Sequence, residues 1–447
     1  MQKFAVLLLL AVGCSSATKE PGEGPPEGTG GAPEGGAQGT GGRATGGKGG
    51  GSTGGAPGTG GTTSTGGSGP ATGGSGPSTG GSGGGDTGGA TGTGGTTSTG
   101  GATGTGGAMG TGGATGTGGI GPLMGTAFAY AAGQEFGGAN LTTFSFDLAT
   151  GALTRKGGGT GAGAGPDYVA AHPSGKFLYV NNETESGKAT AFSIGADGTL
   201  TMLNSASSGG GGPAHIWVHK SGKWLLSANY NDGKLGVAAI GEDGRLTATS
   251  SAQAGGNAHM ALDDGVTGNF VFVPCASAGH VAMFKFDVAT GKATPNSPAT
   301  ISSPGRPRHM AVNPNGKWAY VTHESTSALT VFAYDSTTGL LSSPKETPAP
   351  NDGAHVLVHP SGNFVFHISR GGSTTTVYKV NADGSLTAGA KVGGGYDGTI
   401  TRDGKYLLVV SGSSIKVYAI NATTGALTAA GTGTAVNGSQ SVAVAVF

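Results

Sequence analysis

The stretch FSFDLATGALT, residues Phe144–Thr154, is the first of seven copies of one short pattern in this chain of 447 residues. Each copy joins an apolar run to a turn on Asp-Gly or Thr-Gly, and a second short run follows the turn. The turn glycines are Gly151, Gly198, Gly244, Gly291, Gly339, Gly384 and Gly425, which gives steps of 47, 46, 47, 48, 45 and 41 residues. Short strands that repeat at this period are typical of β-propeller blades, so the sequence predicts a seven-bladed β-propeller.

A second pattern recurs in phase with the first. It is a tight turn followed by alternating large apolar residues, as in HPSGKFLYV from His172 and NPNGKWAYV from Asn313. A turn of this kind followed by alternation is typical of a half-buried strand. Together the two patterns predict four strands per blade, and the absence of any helical period in this region favours an all-β body.

The two ends of the repeat array predict how the ring closes. The first blade lacks an inner strand and opens with TAFAYAAG at Thr126 in the second-strand position. The sequence ends on SQSVAVAVF, an apolar run from Ser439 to Phe447 without a blade of its own. We expect this run to complete the first blade, because closure removes the free edges that an open sheet exposes.

The N-terminal part has a different composition. Residues 1–13 carry Lys3 and an apolar run from Phe4 to Val12, which is too short to span a bilayer and is typical of a secretory signal. Cys14 follows small residues, as at a bacterial lipoprotein cleavage site, and an ordinary signal peptide with a coincidental cysteine is the alternative. Residues 14–122 are rich in Gly, Thr and Ser, so we predict a disordered linker between a lipid anchor and a propeller over residues 123–447.

Composition excludes some functions. The chain has 24 Lys and Arg residues against 24 Asp and Glu residues, and only 11% of its residues are charged. No basic face suited to nucleic acid is expected from such a balance. The cysteines, Cys14 and Cys275, do not form metal-type pairs. We therefore expect a monomer in the bacterial cell envelope that contacts the membrane only through its lipid.

Polar residues recur at the predicted mouth of the central channel. In a propeller, loops that enter the inner strands and loops that leave the second strands open on the same face. The residues that open the inner strands of six consecutive blades are Tyr168, His215, His259, His309, His355 and Tyr396. The residues that follow the second strands include Glu183, Tyr230, His323, Glu324 and Arg370, and Arg308 lies beside His309. This set predicts a site for a small anionic molecule, although an in-phase histidine can also simply bond the backbone of a neighbouring blade.

Other histidines are interpreted as structural. His172, His219 and His359 belong to the turn pattern, which opens on the opposite face. His280 and His367 are likewise expected to have structural roles.

Three stretches resemble a known family. PRHMAVNPNGKWAYVTHE (Pro307–Glu324), PAHIWVHKSGKWLLSANYNDG (Pro213–Gly233) and HISRGG (His367–Gly372) are similar to the seven-bladed lactonase family. That family includes the propeller-type 6-phosphogluconolactonases and the fungal carboxymuconate lactonising enzymes, and the resemblance covers about Gly125 to Phe447. It implies a lactone hydrolase whose catalytic residues are His259, Arg308, Glu324 and Arg370. We expect the substrate to be bound by the other residues of the mouth: His309, His215, His355, Glu183, Tyr230 and His323.

These residue types suit the opening of an acidic sugar-type lactone. Two arginines can clamp a carboxylate or phosphate, while His259 and Glu324 can activate water and supply a proton to the leaving oxygen. The reaction needs no metal, so no cofactor is expected. A surface-displayed propeller that binds ligands without turnover is the alternative, since a fold alone does not fix a function.

Overall fold

The computed structural model describes residues 125–133, 140–431 and 433–446. Every regular element in these ranges is a β-strand. These ranges contain no helix long and apolar enough to cross a membrane. The strands form seven antiparallel sheets, as predicted from the two repeating patterns. The signal peptide of residues 1–13, Cys14, the linker of residues 14–122 and Phe447 lie outside the described residues.

Six of the blades are built from consecutive strands, innermost first. Blade 2 contains β5 (Pro166–Ala171), β6 (Phe177–Asn182), β7 (Lys188–Ile194) and β8 (Leu200–Ser207). Blade 3 contains β9 (Pro213–Val218), β10 (Trp224–Asn229), β11 (Lys234–Ile240) and β12 (Leu246–Gln253). Blade 4 contains β13 (Leu262–Asp263), β14 (Phe270–Cys275), β15 (His280–Asp287) and β16 (Lys292–Ser302).

The same order continues in the next three blades. Blade 5 contains β17 (Pro307–Val312), β18 (Trp318–His323), β19 (Ala328–Asp335) and β20 (Leu340–Pro348). Blade 6 contains β21 (Gly353–Val358), β22 (Phe364–Ser369), β23 (Thr374–Val380) and β24 (Leu386–Gly393). Blade 7 contains β25 (Asp397–Ile400), β26 (Tyr406–Val410), β27 (Gly412–Ile420), β28 (Leu427–Ala429) and β29 (Thr434–Ser439), of which the last two both pair with β27.

Blade 1 is assembled from both ends of the propeller sequence. Its N-terminal strands are β1 (Ala127–Gly133), β2 (Asn140–Phe146), β3 (Leu153–Arg155) and β4 (Thr160–Gly161), and its inner strand is β30 (Ser441–Val446). The β1–β30 register runs from Ala127 opposite Val446 to Ala132 opposite Ser441. β30 also contacts β5 and β25, the inner strands of the two neighbouring blades, so the ring is closed as predicted. Ser439, the expected start of this strand, ends β29 instead.

The cores lie between adjacent blades and depend on the residue that opens each copy of the first pattern. Phe144, Phe192, Phe284 and Phe332 have no more than 2% of their surface exposed. Burial of a phenylalanine side chain contributes about 1.5–3 kcal/mol, so four such positions are a major source of stability.

Glycine is required at the turn of the repeat by its neighbour. Gly291 in blade 4 has a φ of 71°, in the left-handed region, and a Cβ atom there would overlap the indole of Trp224 in blade 3. Gly384 in blade 6 meets Trp318 of blade 5 in the same way. The turn of one blade therefore covers an aromatic ring of the preceding blade, which explains why the Gly recurs with the repeat period.

The histidines of the turn pattern also connect neighbouring blades. Nε2 of His172, His219 and His359 lies 2.9, 2.8 and 3.0 Å from the carbonyl oxygen of a turn glycine in the next blade. In blade 5 the side-chain amide of Asn313 donates an equivalent bond of 2.8 Å to the Gly362 carbonyl. Because a carbonyl only accepts, each of these histidines carries its proton on Nε2. These contacts support the structural interpretation of the three histidines.

Candidate active site

The predicted mouth residues are brought to one rim by the ends of the strands. Glu324 directly follows β18 and Arg370 directly follows β22, the second strands of blades 5 and 6. Arg308 lies in β17, the inner strand of blade 5. His259 precedes the two-residue strand β13, and its backbone N–H donates to the Pro274 carbonyl. The rim therefore combines side chains from blades 4, 5 and 6.

Three guanidinium groups surround the carboxylate of Glu324. Its Oε1 atom lies 3.2 Å from Nε of Arg308 and 3.1 Å from Nη2 of Arg370, and its Oε2 atom lies 3.1 Å from Nε of Arg306. Burial alone raises the pKa of Glu324, but Arg308, Arg370 and Arg306 outweigh burial and lower it below its usual value. Glu324 is therefore ionised at neutral pH and acts as an anion in this cluster.

Arg306 is a site residue that the sequence reasoning missed. Its Nη2 atom donates to the Tyr230 hydroxyl at 3.2 Å, and its φ is 60°, an uncommon value for a residue with a side chain. Such strain is found most often at functional sites. Its position in Gly305-Arg306-Pro307-Arg308, two residues before the recognised arginine, is the signal that could have identified it.

Asp352 is the second missed residue. Nε of Arg370 donates to its Oδ1 atom at 3.0 Å, so Arg370 is held between two carboxylates. The cluster around Glu324 thus contains three guanidiniums and two carboxylates, which leaves one net positive charge (3 − 2). This surplus favours an anionic ligand.

His259 is the imidazole beside this cluster. Its side chain is 5% exposed, and Nε2 lies 3.9 Å from Oε1 of Glu324. The ring of Tyr230 packs edge-on against it, with 5.6 Å between the ring centroids. Burial, reinforced by Arg308, lowers the pKa of His259 well below its usual value, so the imidazole is neutral at pH 7. A neutral imidazole can accept a proton from water.

The other in-phase histidines form a buried row in the channel wall. The ring centroid of His309 lies 5.4 Å from that of His215, 5.3 Å from that of His259 and 4.6 Å from that of His355. The Tyr168 ring lies 4.1 Å from His215. Burial lowers the pKa of His215 and of His309 well below the usual range, so both rings are neutral. Neither ring nitrogen of His215 has a hydrogen-bond partner among the described residues.

In blade 7 the residue equivalent to the channel histidines is Asp397. The prediction of Tyr396 for this position is therefore wrong by one residue. His215, His309 and His355 each precede the first residue of the turn pattern by four positions, and counting back four from Thr401 gives Asp397. Tyr396 is 40% exposed, whereas Asp397 is 3% exposed and its Oδ1 atom contacts Nδ1 of His355. In blade 1 the register places Ser441 at this position.

Acidic groups lie on the other side of the channel. Burial raises the pKa of Asp167 to about 8, and Glu183 and Asp397 add to this effect while Arg308 opposes it. Glu183 therefore lies near the channel, as expected, but the charged groups around it include the carboxyl groups of Asp167 and Asp397.

His323 is engaged within the protein interior. Its Nε2 atom lies 3.0 Å from the Ser303 hydroxyl, and its Nδ1 atom lies 3.3 Å from the Ala328 carbonyl. With 1% of its surface exposed, it has no ring nitrogen left to offer a ligand. Its assignment as a substrate-binding residue stays a prediction, as does that of Glu183.

The described cysteine is inert. Cys275 is fully buried, and burial raises the pKa of its thiol to about 12, so no thiolate is present at neutral pH.

Comparisons with known proteins agree with this architecture. Residues 128–444 match the family described as "Lactonase, 7-bladed beta-propeller". Among solved structures, a candidate 6-phosphogluconolactonase of Bacteroides fragilis is 23% identical, with a TM-score of 0.64, and the match covers 72% of this chain and 98% of that chain. A periplasmic gluconolactonase of Pseudomonas aeruginosa is 21% identical, with a TM-score of 0.62, over 72% of this chain and 99% of that chain.

The strength of these comparisons differs. At such identities the two solved structures establish the shared fold alone. No curated protein matches the chain. The family match extends over most of the propeller, from β1 to β30. The chain therefore belongs to the lactonase family of seven-bladed β-propellers.

Proposed function

We propose that the chain hydrolyses the ring of an acidic sugar-type lactone at the rim formed by His259, Arg306, Arg308, Glu324 and Arg370. The observation that carries this proposal is the Glu324 carboxylate, which is held by three guanidiniums beside a neutral, buried imidazole. Membership of the lactonase family supports a lactone as the class of substrate.

His259 is the general base of the proposed reaction. It takes a proton from a water molecule as the water oxygen forms a bond to the lactone carbonyl carbon. The resulting imidazolium is stabilised by Glu324, whose Oε1 atom lies 3.9 Å away. When the ring C–O bond breaks, the imidazolium returns the proton to the leaving oxygen, and the products are the hydroxyl and carboxyl groups of the open acid.

The arginines have three tasks in this scheme. Arg308 has a side chain that is 12% exposed, and it stabilises the negative charge that develops on the carbonyl oxygen. Arg306 is the most accessible of the three, with 34% of its side chain exposed, and it binds the carboxylate or phosphate of the substrate. Arg370 holds Glu324 in place from the other side.

The proposal extends to location. The pattern at residues 1–14 favours export and acylation of Cys14, so the propeller acts in the cell envelope on a lactone available there. Labelling of producing cells with a radioactive fatty acid tests the anchor. The wild-type chain is expected to carry the label and Cys14→Ser to lose it; a labelled Cys14→Ser protein contradicts the anchor.

A pH-stat assay of the purified chain tests the activity. The panel should pair lactones that carry a carboxylate or phosphate with neutral lactones of the same ring size. We expect acid release with the anionic members and a much lower rate with the neutral ones. If no member of the panel is opened faster than in buffer, the proposed hydrolysis is wrong.

One observation favours a second function, the binding of an anionic ligand without turnover. The cluster around Glu324 has one surplus positive charge, which attracts an anion whether or not that anion is then hydrolysed. A site of this kind can serve recognition alone. In that case the wild type opens no lactone, but it binds an acidic sugar in calorimetry and Arg306→Ala weakens the binding.

A further inference from the structure

Three buried side chains in the channel wall have the composition of a metal site. His309, His355 and Asp397 come from the inner strands of blades 5, 6 and 7. One nitrogen or oxygen atom from each lies within 4.8 Å of the other two. The ring planes of His309 and His355 are almost perpendicular, at 82°, and their centroids lie 4.6 Å apart. We propose that these three residues bind one divalent transition-metal ion of the Zn²⁺ type.

The residue types match that ion. Zn²⁺ is bound by histidine nitrogen and carboxylate oxygen at about 2.0–2.2 Å, and three protein ligands with one open position are usual for a reactive site. Donor atoms around such an ion stand about 3.3–3.6 Å apart. The three donor atoms lie within 4.8 Å of one another, and a bound ion would have to bring them to this spacing.

The surroundings support a missing cationic partner. His309 is 2% exposed, and its Nδ1 atom has no hydrogen-bond partner among the described residues. Buried polar atoms are nearly always satisfied, so an orphaned nitrogen in this row needs an explanation. A metal ion at this point would supply its partner.

Charge favours the same interpretation. Asp397 contacts His355 through Oδ1, while its Oδ2 atom accepts a bond of 3.4 Å from the backbone of Val442. Glu183 adds further negative charge on this side of the channel. A divalent cation would balance these carboxylates, and its binding to both His355 and Asp397 would replace the proton that they share.

A path leads to the site from solvent. A cavity of ≈ 510 Å³ has His355, Tyr168, Lys220 and Arg402 among its lining residues. Lys220 and Arg402 are exposed turn residues on the rim opposite to Glu324. The cavity therefore gives an ion access to His355, which contacts Asp397, without crossing the cluster of arginines.

Metal titration of the full chain tests the inference independently of the proposed hydrolysis. The protein is treated with a chelator, dialysed, and titrated with Co²⁺ and Zn²⁺ while visible absorption, bound metal per chain and melting temperature are recorded. We expect one Co²⁺ per chain with the absorption of a low-symmetry site, displaced by Zn²⁺, and a melting temperature that rises until one equivalent is bound.

Matched variants locate the binding. His309→Gln and Asp397→Asn each preserve the approximate shape of the side chain and are expected to weaken metal binding at least about 100-fold, because even the loss of an outer partner of a metal ligand costs about 10- to 100-fold. His359→Asn is the control, since Asn313 occupies the equivalent position in blade 5. It is expected to bind metal as the wild type does.

Two results would overturn the inference. The first is a folded wild type that takes up no metal at 100-fold molar excess and shows no change in melting temperature. The second is uptake that both variants retain in full, because the ion then binds elsewhere. In either case the contact between His355 and Asp397 is only a hydrogen bond that links blades 6 and 7. Should His309→Gln fail to fold, Asp397→Asn alone decides between these outcomes.

Discussion

Nε2 of His259 lies 3.9 Å from Oε1 of Glu324, although the two residues belong to different blades. His259 precedes the inner strand of blade 4 in the sequence, and Glu324 follows the second strand of blade 5. The contact therefore depends on the packing of one blade against the next. It joins a neutral imidazole to an ionised carboxylate, which is a pairing suited to the transfer of a proton.

Removal of either partner should slow the reaction. We expect His259→Ala and Glu324→Gln each to lower kcat by about 10²-fold or more, the usual size of a general acid–base contribution. Steady-state kinetics on the best lactone of the panel measures this. The control is His359→Asn on the opposite rim, which should keep the wild-type kcat. Wild-type turnover in both active-site variants would place the chemistry elsewhere.

Substitution of Arg306 should raise KM for acidic lactones and leave KM for neutral lactones almost unchanged. Arg306→Lys keeps the charge but loses the planar pair of donors, so KM for an anionic lactone should rise about 10-fold while KM for a neutral lactone changes little. Arg402→Lys, on the other rim, is the matched control. Equal changes in KM for both classes of lactone would show that Arg306 does not bind the acidic group.

Closure of the ring should be essential for stability. Deletion from Ser441 onward removes β30, which supplies the inner strand of blade 1 and contacts the inner strands on either side. We expect the truncated protein to lose its cooperative melting transition in circular dichroism. A milder variant, Ala443→Pro, removes a ladder donor opposite Tyr130 and should lower the melting temperature. An unchanged transition in the truncated protein would contradict the observed closure.

The turn histidines should affect stability and leave turnover intact. His359→Ala leaves the buried Gly404 carbonyl without its donor, which should cost about 1–3 kcal/mol in the free energy of unfolding. His359→Asn should cost less, because asparagine makes the same bond at position 313. Thermal unfolding of the two variants measures the difference. Equal losses from alanine and asparagine would mean that packing, and not the hydrogen bond, is the main contribution.

His367 should make the protein less stable in acid. Burial, with a smaller effect of His323, lowers the pKa of His367 to about 4, whereas the unfolded value is about 6.5. Between pH 4 and pH 6.5, His367 of the unfolded chain binds a proton that His367 of the folded chain does not bind. The contribution of His367 to the free energy of unfolding is thus complete above pH 6.5. It falls as the pH falls, and the loss is about 2 kcal/mol at pH 5.

The measurement is the melting temperature of wild type and His367→Gln at pH 7.5 and pH 5. The wild type should lose more stability than the variant over this interval. The difference between the two proteins is the test, because Asp167, with its raised pKa, has the opposite dependence in both. Between pH 7.5 and 8.5 the two proteins should change in parallel. An identical acid loss in both would exclude His367 as the cause.

The blade count could be predicted because the repeat has a physical basis that is visible in sequence. Gly291 and its equivalents are fixed by a left-handed turn and by an aromatic ring of the preceding blade, so the period appears directly in the glycine spacing. The closing strand could be predicted by elimination, since β30 is an apolar run with no blade of its own.

The site could be predicted only in part. Arg308, Glu324 and His259 were found by phase, and the structure brings them together. Arg306 and Asp352 were missed because both lie in loops at positive φ, where no strand pattern fixes the direction of a side chain. The prediction of Tyr396 is wrong because blade 7 has Thr401 in place of a turn histidine, so nothing in its sequence marks the four-residue spacing to Asp397.

The position of β30 in the sequence has a consequence for biosynthesis. This strand follows every other described strand, whereas its partner β1 is made first. The inner edge of β1 must therefore remain unpaired while the intervening blades emerge from the ribosome, and the ring is completed only when its final strand is released. A nonsense mutation just upstream of Ser441 would thus produce a chain that has every other described strand but open sheet edges, and such edges pair readily with other chains.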